Sequence, residues 1–126
     1  MKPGDALAGE EVLVGAERMK TMSALMRDAN PIHFDPDAVR ALGLGDRPVN
    51  QGPLNQAYVV TMLARWSGGR VRALRLRYLG TVFAGDRVRA GGRVTAIGGG
   101  VAECEVWLDV VGGDRVLAGT AVVEVP

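Results

Sequence analysis

The sequence predicts an α+β domain in which a curved antiparallel β-sheet wraps around one long central helix. The chain has 126 residues, of which 48% are hydrophobic, so residues 1–126 suffice for a single domain with one core. Residues 53–66 have the pattern of a helix that is apolar around most of its circumference, and such a helix must be surrounded by other structure. After this helix the apolar residues recur with a period of two, which is typical of antiparallel strands joined by glycine turns.

The part of the chain before the long helix predicts one strand and two further helices. Residues 7–14 are predicted to form a first strand or extended arm. Residues 16–27 place apolar side chains three and four positions apart, which predicts an amphipathic helix. Asp35 followed by Pro36 is a typical helix start, and it predicts a short helix over about residues 36–42.

The part after the long helix predicts strands only, over residues 74–78, 86–97, 102–110 and 116–125. In the third of these, alternate residues from Ala102 to Val110 are apolar, and most of the others are charged. The last strand is apolar on both faces, which predicts a central strand that is covered twice. Glycine-rich turns at residues 98–100 and 112–114 predict hairpin connections.

Asp28 and His33 are the strongest candidates for chemistry, and His33 is the only histidine of the chain. The Asn30-Pro31 pair between them breaks the helix, so Asp28 should lie at a helix C-terminus and His33 on the loop that follows. A histidine and an acid held on an ordered loop can share a water molecule and move its protons near neutral pH. The pair therefore predicts acid–base chemistry on a bound water.

Three segments have the motifs of a known family: residues 28–33 (DANPIH), 47–54 (RPVNQGPL) and 78–88 (YLGTVFAGDRV). The first is close to the family's motif of Asp, any residue, Asn-Pro, an aliphatic residue and His. On these motifs the chain resembles the hot-dog fold and, within it, the MaoC-like dehydratase and (R)-specific enoyl-CoA hydratase family. The resemblance extends over nearly the whole chain.

The resemblance implies roles for individual residues. Asp28 and His33 would hold the catalytic water, and the Gly52 amide would bind the thioester carbonyl oxygen at the start of the long helix. We group Asn30 and Gln51 with Gly52 as candidates for oxyanion or substrate binding, although Asn30 is also expected to fix the turn through its side chain. The implied substrates are thioesters of coenzyme A or acyl carrier protein, the implied product is the (R)-3-hydroxyacyl thioester, and no metal or redox cofactor is implied.

One departure from the family pattern leaves alternatives open. The family usually has His before the glycine at the start of the helix, whereas this chain has Gln51. This difference motivates a second hypothesis, a partner subunit of a hetero-oligomeric hydratase, for example of the steroid side-chain type, with little activity alone. A third hypothesis is a hot-dog thioesterase, but such enzymes often place an acid on the central helix, and residues 53–66 contain no Asp or Glu.

Composition excludes several other classes. The net charge of +1 gives no electrostatic basis for binding nucleic acid, and no apolar run is long enough for a membrane span. One cysteine cannot form an internal disulfide, and the N-terminus lacks the order of a secretory signal, so we expect a cytoplasmic protein. A sheet around one helix leaves an exposed edge, which predicts a homodimer or a heterodimer with another hot-dog subunit.

Overall fold

The computed structural model describes residues 1–28 and 30–126, and in them a single antiparallel sheet has the strand order β1-β3-β4-β5-β2. Each predicted strand is present. The second begins earlier than expected because an irregularity in its pairing with β5, between Val71 and Ala73, hides the alternation there. The strands are β1 (Ala6–Leu13), β2 (Val71–Tyr78), β3 (Arg87–Gly98), β4 (Val101–Val110) and β5 (Arg115–Glu124).

Three α-helices precede β2: α1 (Ala16–Met26), α2 (Pro36–Ala41) and α3 (Gly52–Ser67). A single 3-10 turn, Pro31–His33, lies where the sequence predicted a loop. The long helix α3 contacts all five strands, so the sheet curves around it as the predicted hot-dog fold requires. In the described part of the chain, no helix has both the length and the apolar character that a membrane crossing needs.

The core lies between α3 and one face of the sheet. The predicted apolar face of β4 is buried, including Ala102, Cys104 and Leu108, while Glu103 and Glu105 on the opposite face are exposed. The prediction for β5 is only partly correct. It is an interior strand, paired with β4 and β2, but several side chains on its second face stay half-exposed because no layer covers the outside of the sheet.

The prediction that α3 is wrapped on all sides is wrong within a single chain. Val59 and Leu63 face the sheet and are buried. The opposite side of the helix is exposed, and its small and apolar residues are Ala57, Val60, Thr61 and Ala64. The reason is geometric, because one sheet covers only one side of a helix and the segment before α3 lies over its N-terminal end. We call these four residues the open face of α3.

Candidate active site

The end of α1 directs Asp28 toward His33. Arg27 has φ 52°, the left-handed conformation, and it is the only non-glycine residue with positive φ among the described residues. This turn brings the Asp28 N–H to the Ser23 carbonyl, to which it donates at 2.9 Å. Asp28 Oδ2 then lies 3.3 Å from His33 Nε2. The two residues that the sequence singled out are therefore in contact.

Hydrogen bonds fix the orientation of both side chains. His33 Nδ1 lies 2.6 Å from the carbonyl oxygen of Val49, and since a carbonyl only accepts, Nδ1 must hold the hydrogen. In the neutral ring Nε2 is then the acceptor, and it is this atom that faces Asp28. The other Asp28 oxygen, Oδ1, accepts the Asn30 N–H at 3.0 Å. Val49 is itself joined by an isolated antiparallel bridge to Phe83, in the segment between β2 and β3.

A water molecule that lies beside the pair can contact both groups. Neutral His33 Nε2 and ionised Asp28 Oδ2 both accept hydrogen bonds, and a water molecule has one hydrogen for each. Solvent reaches the pair from the Asp28 side, because the Asp28 side chain is 31% exposed while that of His33 is 11% exposed. An open depression of about 370 Å³ adjoins Asp28, and Lys20, Ser23, Ala24 and Phe34 form its other walls.

Gly52 is the first residue of α3, which begins one residue before the predicted start at residue 53. Within the described part of the chain, no acceptor takes its N–H, which points from the positive end of the helix dipole. The edge strand β2 closes this position on one side. A Cβ atom placed on Gly52 would lie 3.1 Å from the Tyr78 hydroxyl oxygen, so there is little room for a side chain. Glycine therefore keeps the amide accessible beside Tyr78.

Gln51 is buried and turned toward α1. Its Nε2 donates to the Met19 carbonyl at 2.8 Å and to Ser23 Oγ at 3.0 Å, while Oε1 has no partner in the described residues. The side chain therefore joins the N-terminus of α3 to the helix that precedes Asp28. A direct contact between Gln51 and the substrate stays a prediction. The hydrogen bonds that Gln51 makes within the chain hold two helices together.

Asn30 is exposed, and its side chain accepts the Ile32 N–H at 3.3 Å, which caps the 3-10 turn before His33. This is the turn role that was expected for it. Tyr78 and Gln56, whose side chains are hydrogen-bonded beside Gly52, were not identified from the sequence. Tyr78 ends an alternating strand and Gln56 is a polar residue on a helix, so no local pattern set either apart.

No group of three or more His, Cys, Asp or Glu side chains that could share a metal ion occurs in residues 1–28 and 30–126. A larger cavity of about 600 Å³ lies between β1 and α3, and its apolar walls include Leu7, Leu54 and Trp66. The residues that line it do not include Asp28, His33 or Gly52. This cavity is therefore separate from the Asp28–His33 pair and from the helix start at Gly52.

Comparison with known proteins shows that the chain is similar to proteins described as hydratases and dehydratases. The (R)-hydratase from A. caviae involved in PHA biosynthesis is 27% identical, with a TM-score of 0.90 over 100% of this chain and 98% of that one. A chain of the ChsH1-ChsH2 complex from Mycobacterium tuberculosis is 20% identical, with a TM-score of 0.86 over 98% of both chains.

A curated relative is the mitochondrial 3-hydroxyacyl-acyl-carrier-protein dehydratase of Arabidopsis thaliana, 27% identical over 88 residues. The match takes in 70% of this chain and 52% of that protein, so the chain spans about half the length of the relative. The family model for the MaoC like domain matches residues 3–107. With most of its length matched by that model, the chain belongs to the MaoC-like domain family.

Proposed function

We propose that this protein is an (R)-specific hydratase of 2-enoyl thioesters, which also runs in reverse as a 3-hydroxyacyl-thioester dehydratase. The main support is the contact of 3.3 Å between Asp28 Oδ2 and His33 Nε2, with the ring fixed by Val49 on its other nitrogen. A carboxylate and a neutral imidazole in this arrangement are suited to hold and deprotonate a water molecule.

Hydration adds the water oxygen to C3 of the enoyl group and a proton to C2. Asp28 and His33 would bind the water and accept a proton as its oxygen attacks, and the same pair would return a proton to C2 on the same face. As the C3–O bond forms, the electron pair of the double bond moves toward the thioester oxygen. General acid–base assistance of this kind is worth about 10²–10⁴ in rate.

The Gly52 N–H would stabilise the negative charge that develops on the thioester oxygen. It stands at the positive end of α3 and is not used inside the helix. A single donor that meets an oxyanion in a preorganised site is worth roughly 3–4 kcal/mol of transition-state stabilisation. Thioesters of coenzyme A or of acyl carrier protein fit this scheme. The proposed reaction needs no redox cofactor because hydration involves no net oxidation or reduction, and it needs no metal because the Asp28–His33 pair is proposed to activate the water.

The active form is proposed to contain a second hot-dog subunit, either a copy of this chain or a related partner. Two exposed features favour this assembly: the open face of α3 and the edge strand β2, which has a neighbour on one side only. A related fold occurs in the ChsH1-ChsH2 complex, which contains two different subunits. Because Gln51 replaces the family's usual His, a partner-subunit role with little activity alone is the second candidate.

One assay separates these functions. The purified protein is incubated with crotonyl-CoA and with a bulky enoyl-CoA, while enoyl absorbance and free thiol are followed. Loss of absorbance without thiol, with the (R)-3-hydroxyacyl product on chiral analysis, is the expected result. Release of thiol would favour a thioesterase, and the absence of both signals would favour the partner-subunit role.

A further inference from the structure

We propose that the Tyr78 hydroxyl is a second hydrogen-bond donor to the thioester oxygen, acting beside the Gly52 N–H. This inference rests on the proposed hydratase function and adds a residue to its substrate-binding site. Tyr78 is the last residue of the edge strand β2, and its side chain lies over the first turn of α3. It is 49% exposed within the chain, so a bound ligand can reach it.

The distance between the two donors suits one shared oxygen. A Cβ on Gly52 would be 3.1 Å from Tyr78 Oη. Since N and Cβ of one residue are about 2.5 Å apart, Gly52 N and Tyr78 Oη are separated by no more than about 5.6 Å. Two donors that each bind an oxyanion at about 2.7–3.1 Å can be separated by that distance and still meet the same atom.

Gln56 leaves the hydroxyl hydrogen of Tyr78 available. Its Nε2 donates to Tyr78 Oη at 2.6 Å, so the phenol oxygen is the acceptor in this bond. In the described part of the chain the hydroxyl makes no other hydrogen bond, and its own hydrogen is therefore free to point at a ligand. The same bond fixes the position of the phenol ring relative to α3, which makes Gln56 a positioning residue.

The test compares Tyr78→Phe with Tyr58→Phe, because these are the two tyrosines of the chain. Tyr58 lies on α3 beside the separate cavity next to β1, and losing its hydroxyl should leave turnover unchanged. Removing one oxyanion donor lowers kcat by about 10²–10³ in a fully enclosed site, and for this half-exposed residue we expect a loss in kcat/KM of about ten- to hundredfold.

A second readout separates a transition-state donor from a merely structural residue. Butyryl-CoA has the same thioester but cannot be hydrated, so its inhibition constant reports ground-state binding. For Tyr78→Phe we expect this constant to change by less than about threefold while kcat falls. Gln56→Met should lower kcat less than Tyr78→Phe, and the double variant should be no slower than Tyr78→Phe alone, because Gln56 acts through the hydroxyl.

The outcomes are distinct. Wild-type protein without hydration activity overturns the proposed function, and the role of Tyr78 with it. With an active wild type, a Tyr78→Phe variant that keeps kcat/KM within about twofold overturns the role of Tyr78 alone. Equal losses in kcat/KM and in butyryl-CoA affinity also overturn it, since they would indicate uniform binding only.

Discussion

Gln51 Nε2 donates a hydrogen bond to Ser23 Oγ at 3.0 Å, and through it the N-terminus of α3 is joined to the end of α1. The carbonyl of the same serine accepts the Asp28 N–H at 2.9 Å. One residue of α1 therefore contacts both halves of the candidate site, the Asp28–His33 pair and the helix start at Gly52. The position of Gln51 thus bears on catalysis even without a contact to substrate.

Replacing Gln51 with Leu should lower both stability and turnover. The change removes the two buried hydrogen bonds that Gln51 donates, to the Met19 carbonyl and to Ser23 Oγ, and each such bond is worth about 0.5–1.5 kcal/mol of unfolding free energy. It also removes the bond that sets the distance between α1 and α3, so kcat should fall more than KM rises. Urea unfolding and steady-state kinetics measure the two effects. Gln51→His introduces the residue usual in the family, which can donate only one hydrogen per ring nitrogen. We expect the stability and the kcat of this variant to lie between those of the Leu variant and wild type. A Leu variant with normal kcat would contradict this interpretation.

Asp28→Asn and His33→Asn should each reduce turnover by about 10²–10⁴ while the fold is kept. Asn in place of Asp28 keeps the shape but is a much weaker base. Asn in place of His33 can still donate an N–H to the Val49 carbonyl, so the loop keeps its main bond. Initial rates with crotonyl-CoA and thermal unfolding are measured together. Either variant with near-wild-type rates and an intact fold would remove that residue from the mechanism.

Gly52→Ala tests how much space the thioester oxygen has at the start of α3. The added methyl group would meet the Tyr78 hydroxyl at 3.1 Å and the ring carbon Cζ at 3.3 Å, so the tyrosine must move. We expect kcat/KM to drop about tenfold or more, because the added methyl group and the displaced Tyr78 hydroxyl crowd the position of the thioester oxygen. Gly15→Ala is the matched control, because its φ is −100° and a Cβ there has no neighbour within 4 Å. Similar kinetics for the two variants would contradict the interpretation that the space beside Gly52 is crowded.

Much of the fold could be predicted because the signal is local. The alternation along β4 identifies its buried face, and the apolar residues of α3 identify the central helix. The contact of Asp28 with His33 could also be expected, because the end of the helix and the family motif lie within one short segment. In these cases the residues that interact are close in sequence, or repeat with the period of one element.

The rest depended on contacts between distant segments. The bond from Gln51 to Ser23 joins residues 28 positions apart, and that from Gln56 to Tyr78 joins residues 22 apart, so neither has a signature in one element. The open face of α3 was misjudged for a related reason. Apolar composition around a helix indicates that something covers it, but it does not distinguish the chain's own sheet from a second subunit.

Val60→Asp should weaken assembly if the open face of α3 is a subunit contact. Val60 is 36% exposed in the chain, and a carboxylate there would be buried without a partner in a dimer. We expect wild-type protein to be a dimer and Val60→Asp to be mainly monomeric at micromolar concentration, as measured by light scattering. Ile97→Asp is the control, because Ile97 is also 36% exposed but lies near the end of β3. Equal masses for wild type and both variants would place the contact elsewhere.

Cys104 should resist thiol reagents in the native protein. Its side chain is on the buried face of β4 and is 1% exposed, and burial raises the pKa of the thiol because the charged thiolate is desolvated. The reactive thiolate is therefore scarce at neutral pH, and it becomes accessible only when the sheet opens. The raised pKa of the folded thiol also makes stability depend on pH. Because the thiol of the unfolded chain ionises at a lower pH than the folded one, the free energy of unfolding falls as the pH rises above the ordinary pKa of cysteine. Iodoacetamide labelling followed by mass spectrometry should give little modification of the folded protein and complete modification in urea. Rapid stoichiometric labelling without denaturant would mean that β4 is not part of a closed core.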